Sequence, residues 1–591
     1  MPALSDILPC RNSDGKVGLA LSGGGFRAAF FHVGVLARLA ELEILPRVEV
    51  ISTVSGGSIV GALYYVCLKR RLESMPATGI GKDGYLKLVA EVEWRLRQAT
   101  QKNIRTRIFA NPVKNAAMVL FPNYSRSDRI GDLYDRYIYK DAWGSQPDRK
   151  WKGYGPQKQI ELRELPIEPH GRMVNPDRYN KRHDEKLPVL LLNATSLNSG
   201  HNWRFEAVRM GESLPEDRRR TKVLEEVDKN VRLEPGSFEH RARETRVPKK
   251  QRDFPLALAV AASASVPGVF QPLAISGMYE GIRVQLVDGG VQDNQGLQGL
   301  FDTDCKQLIV SDASGQMRDT ESPSSRIIGV LGRSGSIEGD RIRDEQLLDT
   351  LAGHHERCAL MHLRKGLDGK AIAPGKSLKD STPERVGEYD TSDFGVHRDV
   401  QEALSQIRTD LDFFGDTEAS SLELDGYLMS GFELERTGFA KGAELEAGTT
   451  DGWTFRDEQL ETEFGAEKSP ALRRLEVGKS KFFRSFLLHP LAGAIAGFAP
   501  AAALAVAIWA AGDNIADLLD ARWCAWVVLL VVFLVLLLGV LYAIDPRPKP
   551  VRLALLVPMF LLSLPLALLA AIASIPIYAL VRLSALARKL S

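Results

Sequence analysis

The chain has 591 residues, enough for two or more domains with a large core. Its 76 Lys and Arg residues balance 74 Asp and Glu to a formal charge of +2, so no global field draws it to nucleic acid, and that class of partner is set aside. Five cysteines (Cys10, Cys67, Cys305, Cys358, Cys524) lie without paired spacing, which argues against a disulfide framework or a structural zinc site and suits a reducing compartment.

The stretch 1–15 reads as an N-terminal extension, with no basic start and apolar run of the kind a cleavable secretion signal needs. Val17 to Leu21 then reads as a buried parallel strand running into Ser22-Gly23-Gly24-Gly25-Phe26-Arg27-Ala28. Three consecutive glycines let backbone N–H groups converge on an anion unobstructed, and Arg27 adds a fixed positive charge. A phosphate-binding loop is the rival reading, but the Gly-Lys-Ser/Thr ending is missing. A second apolar run, Val48 to Val54, delivers Ser55 into Gly56-Gly57 and a helix-like segment, the layout of a nucleophile elbow. Thr53 stands where the usual Gly-x-Ser-x-Gly pattern has its first glycine. By itself, each motif is also an ordinary Gly/Ser turn.

From Lys82 to Lys186 the sequence suggests an insertion with little apolar periodicity, carrying Trp143, Trp151, Lys152 and Tyr154; a solvated surface segment or a lid would both fit. Pro188 to Gly200 holds a central apolar strand. Glu216 to Arg252 reads as a mixed-charge surface stretch. Val284 to Val287 is a strand delivering Asp288 into Gly289-Gly290, so its carboxylate can reach a neighbouring elbow. His32 and His201 read as structural. His354, Cys358 and His362 recur at four-residue steps within a helix-like stretch from Arg343 to Leu363, expected as a helix stripe and not a metal site. A second helix-like stretch, His397 to Phe414, precedes an acidic region from Glu418 to Glu463.

The ordered motifs Ser22–Ala28, Ser55-Gly56-Gly57, Pro188–Gly200, Ala262–Pro272 and Asp288-Gly289-Gly290 resemble the patatin-like phospholipases, most closely the cytosolic phospholipase A branch; weaker echoes occur at Ile407–Asp412 and Gly426-Tyr427. The resemblance implies a three-layer α/β/α sheet and a Ser-Asp dyad. Ser55 would be the nucleophile and Asp288 the base, with Gly23, Gly24 and Gly25 as the oxyanion hole and Arg27 as a substrate contact or an ion-pair partner. It implies no metal and no organic cofactor. The activity implied is a lipid acyl hydrolase acting on glycerophospholipids or related lipids. An inactive membrane scaffold on the same fold, or an acyltransferase using the same dyad, are the alternatives.

The C-terminal part is expected to be an α-helical membrane region. Leu487 to Ala511 and Trp523 to Ile544 are each apolar enough to cross a bilayer, and Leu553 to Leu580 is apolar but broken by Pro558, Pro565 and Pro576. Arg473, Arg474, Lys479, Lys481 and Arg484 before the first run, and Arg547, Lys549 and Arg552 after the second, place the catalytic domain on the cytoplasmic side of the membrane. The expected organisation is therefore 1–15 extension, 16–435 catalytic domain, 436–485 polar linker and 486–591 membrane region with two or three spans.

Overall fold

The computed structural model describes residues 15–479, apart from segments within 75–78, 110–123, 145–158, 216–217, 239–244, 316–321, 353–356, 368–391, 441–452 and 457–469. The apolar runs expected to span a membrane, and Trp151, Lys152, Tyr154 and His354, lie outside the described residues. Among the described residues no helix is long and apolar enough to cross a membrane. By its contacts the chain divides into Met1–Lys479 and Ser480–Ser591, and the described residues all belong to the first unit.

Strands β1 (Val17–Leu21) and β2 (Val48–Val54) occupy the two predicted runs and pair in parallel. They lie in the middle of a sheet because both faces of such strands are apolar and must be covered. β3 (Val189–Ser196) joins β2 in parallel, and the antiparallel strands β4 (Asn202–Phe205), β5 (Arg209–Gly211) and β6 (Gly236–Ser237) extend that side. β7 (Leu273–Tyr279) and β8 (Ile282–Asp288) form a hairpin. On the other side of β1 come β9 (Gln307–Asp312) and β10 (Arg357–His362), both parallel to it.

The register along β3 fixes the geometry that matters most. Asn193 faces Val54 of β2 and Arg204 of β4, while Ala194 faces Asp288 of β8 and Trp203 of β4. Since β4 occupies one edge at both positions, β2 and β8 share the other. They approach from opposite directions and stop one residue apart, so the residues that end them, Ser55 and Asp288, are brought head to head.

Helices cover both faces. α1 (Gly25–Glu41), α2 (Gly56–Glu73) and α3 (Gly81–Thr100) pack on one another over the larger core, into which Val17, Leu19 and Leu21 of β1 point. α4 (Arg126–Tyr134) and α5 (Leu256–Ser263) pack together beside β3 and β8. On the opposite face, Ala20, Val50, Leu191, Leu308 and Val310 meet Leu297 and Leu300 of α6 (Leu297–Asp302) and a partly buried Leu347 of α7 (Ile327–Ala352). The result is the expected three-layer α/β architecture, with alternation along each strand feeding two cores.

Three expectations are corrected. The stretch from Lys82 onward is not devoid of periodicity: Tyr85, Leu88, Val89, Val92, Leu96 and Ala99 are all buried along one face of α3 at helical spacing, so this part is core rather than lid. Cys358 and His362 lie on the strand β10, not on a helix, because the parallel edge of β9 is open to pair with that short apolar run. The His397–Phe414 stretch is helical only over α8 (Arg398–Ser405), after which the chain crosses the glycine-rich loop.

The acidic region begins with α9 (Asp416–Arg436), a core helix lying along α1 so closely that a Cβ on Gly34 would sit 1.8 Å from the Glu423 carbonyl oxygen. Its buried acids are individually matched: Glu423 to Arg97, Glu433 to Lys365 and Arg436, Asp425 to Gln401 at 3.2 Å. Trp453, Phe455, Phe464 and Leu475, further along the chain, also enter the core, and Trp453 Nε1 donates to Glu41 at 2.7 Å.

Candidate active site

Ser55 sits between the end of β2 and the first turn of α2, with φ 49° and ψ −113°. A non-glycine residue in this region carries about 1–3 kcal/mol of backbone strain, which must be held by its surroundings. The restraints are hydrogen bonds. Ser55 N–H donates to Ser263 Oγ at 3.0 Å, Ser263 Oγ donates to the Asn193 carbonyl at 2.6 Å, and Ser58 Oγ meets Ser263 Oγ at 2.8 Å. Thr53 tightens the same turn, since its hydroxyl reaches the Leu191 carbonyl at 3.0 Å and Ser58 Oγ at 2.9 Å. The Asn193 amide donates to Ser52 Oγ and to the Thr53 carbonyl, both at 3.0 Å.

The glycine-rich loop and the elbow touch backbone to backbone. A Cβ on Gly56 would lie 2.1 Å from the Gly25 carbonyl oxygen and 2.7 Å from its nitrogen, so only glycine permits the contact. Gly24 and Gly25 have φ of 139° and 61°. Their N–H groups find no backbone acceptor among the described residues. Gly23 differs. Its N–H donates to the Asn294 carbonyl at 2.9 Å, so of the three glycines expected to form an oxyanion hole only Gly24 and Gly25 have N–H groups without a backbone acceptor among the described residues. The loop is fastened from above, where Phe26 N–H donates to the Asp410 carbonyl at 2.9 Å.

Asp288 ends β8 with its carboxyl buried. Oδ1 accepts from Gly290 N–H at 2.8 Å, while Oδ2 has no hydrogen-bond partner among the described residues. Burial pushes its pKa up to about 6; the Gly290 N–H and the Ser55 hydroxyl pull in the opposite direction. The Ser55 hydroxyl and the Asp288 carboxyl are thus apposed. Tyr134 of α4 adds a buried hydroxyl without a partner among the described residues, its pKa raised by burial and then by the Asp288 charge.

Arg27 is buried, with Nη1 donating to the Ile407 carbonyl at 2.8 Å and Nη2 to the Ala313 carbonyl at 3.0 Å. It ties the start of α1 to two later segments. His32 spans Ser311 Oγ at 2.7 Å and the Ser22 carbonyl at 3.0 Å, and burial lowers its pKa to about 4, so it is a neutral strut near neutral pH. His201 lies in a separate cluster with Glu212 and Asp228. Among the described residues no group of three or more His, Cys, Asp or Glu side chains could hold a metal.

Sequence reasoning gave no role in the site to Asn193, Ser263, Asn294 or the Asp410 carbonyl, although Asn193, Ser263 and Asp410 fall within the motifs that carry the resemblance. The first two left a signal, a lone amide in the run Leu190-Leu191-Leu192-Asn193 and a serine within Ala259–Ala264. The contact from Asp410 is made by backbone, which side-chain identity does not announce.

This arrangement can be set beside known proteins. Residues 19–301 match the patatin-like phospholipase family. No curated protein matches this chain. Among solved structures, human GIVD cytosolic phospholipase A2 in complex with methyl gamma-linolenyl fluorophosphonate and terbium chloride is similar at 13% identity, covering 74% of this chain and 61% of that one, with a TM-score of 0.34. VipD from Legionella pneumophila is similar at 13% identity, covering 72% of this chain and 67% of that one, with a TM-score of 0.26. The chain thus spans 61% of the length of the human enzyme.

Proposed function

We propose that the protein is a lipid acyl hydrolase that cleaves ester bonds of glycerophospholipids or related lipids through Ser55 and Asp288. The observation carrying this reading is a buried, under-coordinated carboxyl facing a serine on a strained strand-to-helix turn. Ser55 Oγ attacks the ester carbonyl carbon while its proton passes to Asp288 Oδ2. The resulting oxyanion is held by the N–H groups of Gly24 and Gly25, joined by that of Gly56 at the helix N-terminus. Collapse expels the lysolipid alkoxide, which takes the proton from Asp288. Water then repeats the sequence in reverse, giving the free fatty acid and restoring Ser55.

A pKa of about 6 suits this cycle, because the acid must be ionised to accept a proton and still give it up. Arg27 in this reading holds the loop in shape instead of meeting substrate phosphate. The apolar runs beyond residue 486 support anchoring in a membrane with the catalytic domain on its cytoplasmic side, which raises the local concentration of lipid without new contacts. A fluorophosphonate probe tests the proposal. Covalent capture lost in Ser55→Ala, together with loss of fatty-acid release from phospholipid vesicles, is expected; an unlabelled wild-type protein would point instead to an inactive scaffold.

A further inference from the structure

α7 is 26 residues long, about 39 Å, whereas the strands it connects, β9 and β10, have six residues each, about 20 Å. The excess length falls at one end. Arg343 and Thr350 are buried and Leu347 packs on the smaller core, so the C-terminal half lies against the sheet. No described side chain in 327–339 is buried, and a Cβ on Gly332, Gly335 or Gly339 would meet open space.

The point of departure can be located. Met317 N–H donates to the Asp340 carboxylate at 3.1 Å, and Met317 follows closely on Ala313, whose carbonyl holds Arg27 beside the glycine-rich loop. Asp340 is therefore near the level of the sheet edge that bears Ser55. Residues 327–339 stand beyond it by roughly 20 Å.

The projecting part is apolar. Over 327–339 the ionisable residues are Arg333 and Glu338, and Ile327, Val330, Leu331 and Ile337 fall within one arc of the helix, which Ser334 and Glu338 share, with Ile327 79% and Leu331 67% exposed. Val266, Val269 and Val291, in the turns flanking Asp288, are exposed at the same edge. The described chain also ends there. Gly478 accepts from the Arg408 backbone at 3.3 Å and from its Nη1 at 3.0 Å, two residues before the Asp410 carbonyl that caps the loop, and the apolar run from Leu487 starts eight residues beyond Lys479.

We propose that the N-terminal half of α7, with the valine rim around Asp288, enters the lipid headgroup region and seats the catalytic edge on the bilayer. A short helical segment with exposed isoleucine, valine and leucine along one arc, and serine and glycines on the other side, is too short and too interrupted to cross a bilayer and suits an interfacial position. A lipid surface is the occupant because two apolar features, the α7 arc and the valine rim, lie at the edge that must receive a lipid ester, and the sequence beyond Lys479 continues into a long apolar run. The inference rests on the hydrolase reading for its purpose, but its geometry can be tested separately.

Full-length protein with Cys10→Ser and Cys524→Ser, reconstituted in phosphatidylcholine–phosphatidylglycerol vesicles, would carry a fluorophore at Val330→Cys or, on the opposite side of the helix, at Ser336→Cys. Doxyl-labelled lipid is expected to quench the first at least threefold more than the second, and aqueous iodide the reverse. The double variant Val330→Glu, Leu331→Glu should lose about tenfold in fatty-acid release from vesicles while hydrolysing a water-soluble short-chain ester within twofold of wild type. Equal iodide quenching at both positions overturns the proposal, as does shielding of position 330 from both quenchers, which would mean a protein cover. Loss of both activities in Ser55→Ala, with the quenching pattern unchanged, keeps the two questions apart; retention of both in that variant would sink the hydrolase reading alone.

Discussion

Two acidic sites in this molecule look alike on paper and differ in what they can do. At one, Asp288 lies buried with a single N–H donor on Oδ1, nothing on Oδ2 among the described residues, and a serine hydroxyl in front. At the other, His201 is clamped between Glu212 at 3.0 Å and Asp228 at 2.5 Å, above a cavity of about 590 Å³ lined by Arg209, Glu225, Asn230 and Arg232 among others. The second has the histidine and carboxylates that a familiar triad would need, yet its acids are saturated. Glu212 also accepts from Ser199 and from Leu233 N–H, and Asp228 from Asn230 N–H and Arg232. Asp228, held by the Asn230 N–H and His201, has its pKa lowered, while burial raises that of Asp288. A carboxylate becomes a useful base where donors are withheld, and a strut where they are supplied.

Each side of that contrast can be tested. The largest effect is expected for Ser55→Ala, which should lower turnover on vesicle phospholipid by about four orders of magnitude or more, measured as fatty-acid release. Asp288→Asn should cost on the order of a thousandfold or more in the same assay, because the serine proton loses its acceptor. The same substitution should stabilise the fold. A folded-state pKa of about 6 lies above the usual carboxylate value, so stability falls as pH rises from about 4 through 6 and the penalty, on the order of 2–3 kcal/mol, is full above that range. The melting-temperature advantage of Asp288→Asn should therefore be larger at pH 8 than at pH 5, and an unchanged difference would contradict the burial argument.

Gly25→Ala should reduce turnover by about a hundredfold, since its Cβ would meet the Asp410 carbonyl oxygen at 2.7 Å in a positive-φ position and displace an oxyanion donor. The wild-type kcat/KM profile should rise with pH through an apparent pKa near 6 and then level, reporting ionisation of Asp288. The smallest effect belongs to the second cluster. His201→Gln should leave turnover within about twofold, while lowering the melting temperature by a few degrees as two carboxylates lose a shared partner.

Sequence alone determined the strands and turns of the candidate site. Val17–Leu21 and Val48–Val54 are apolar runs closed by glycines, and backbone that must bend sharply or approach closely leaves glycine and small residues as its trace. The pairing of Ser55 with Asp288 was inferable only by resemblance, since 233 positions of chain separate them and local pattern says nothing about which strands share an edge of β3.

What tertiary structure decided was mostly polar and backbone-mediated. It gave the N–H of Gly23 to Asn294, the guanidinium of Arg27 to carbonyls from distant segments, and Cys358 and His362 to a strand. It also turned an acidic stretch into the core helix α9, whose buried acids meet Arg97 and Lys365 from other elements. Apolar spacing is a property of one segment and can be read along the chain; the satisfaction of a buried hydrogen bond or charge depends on what arrives from elsewhere.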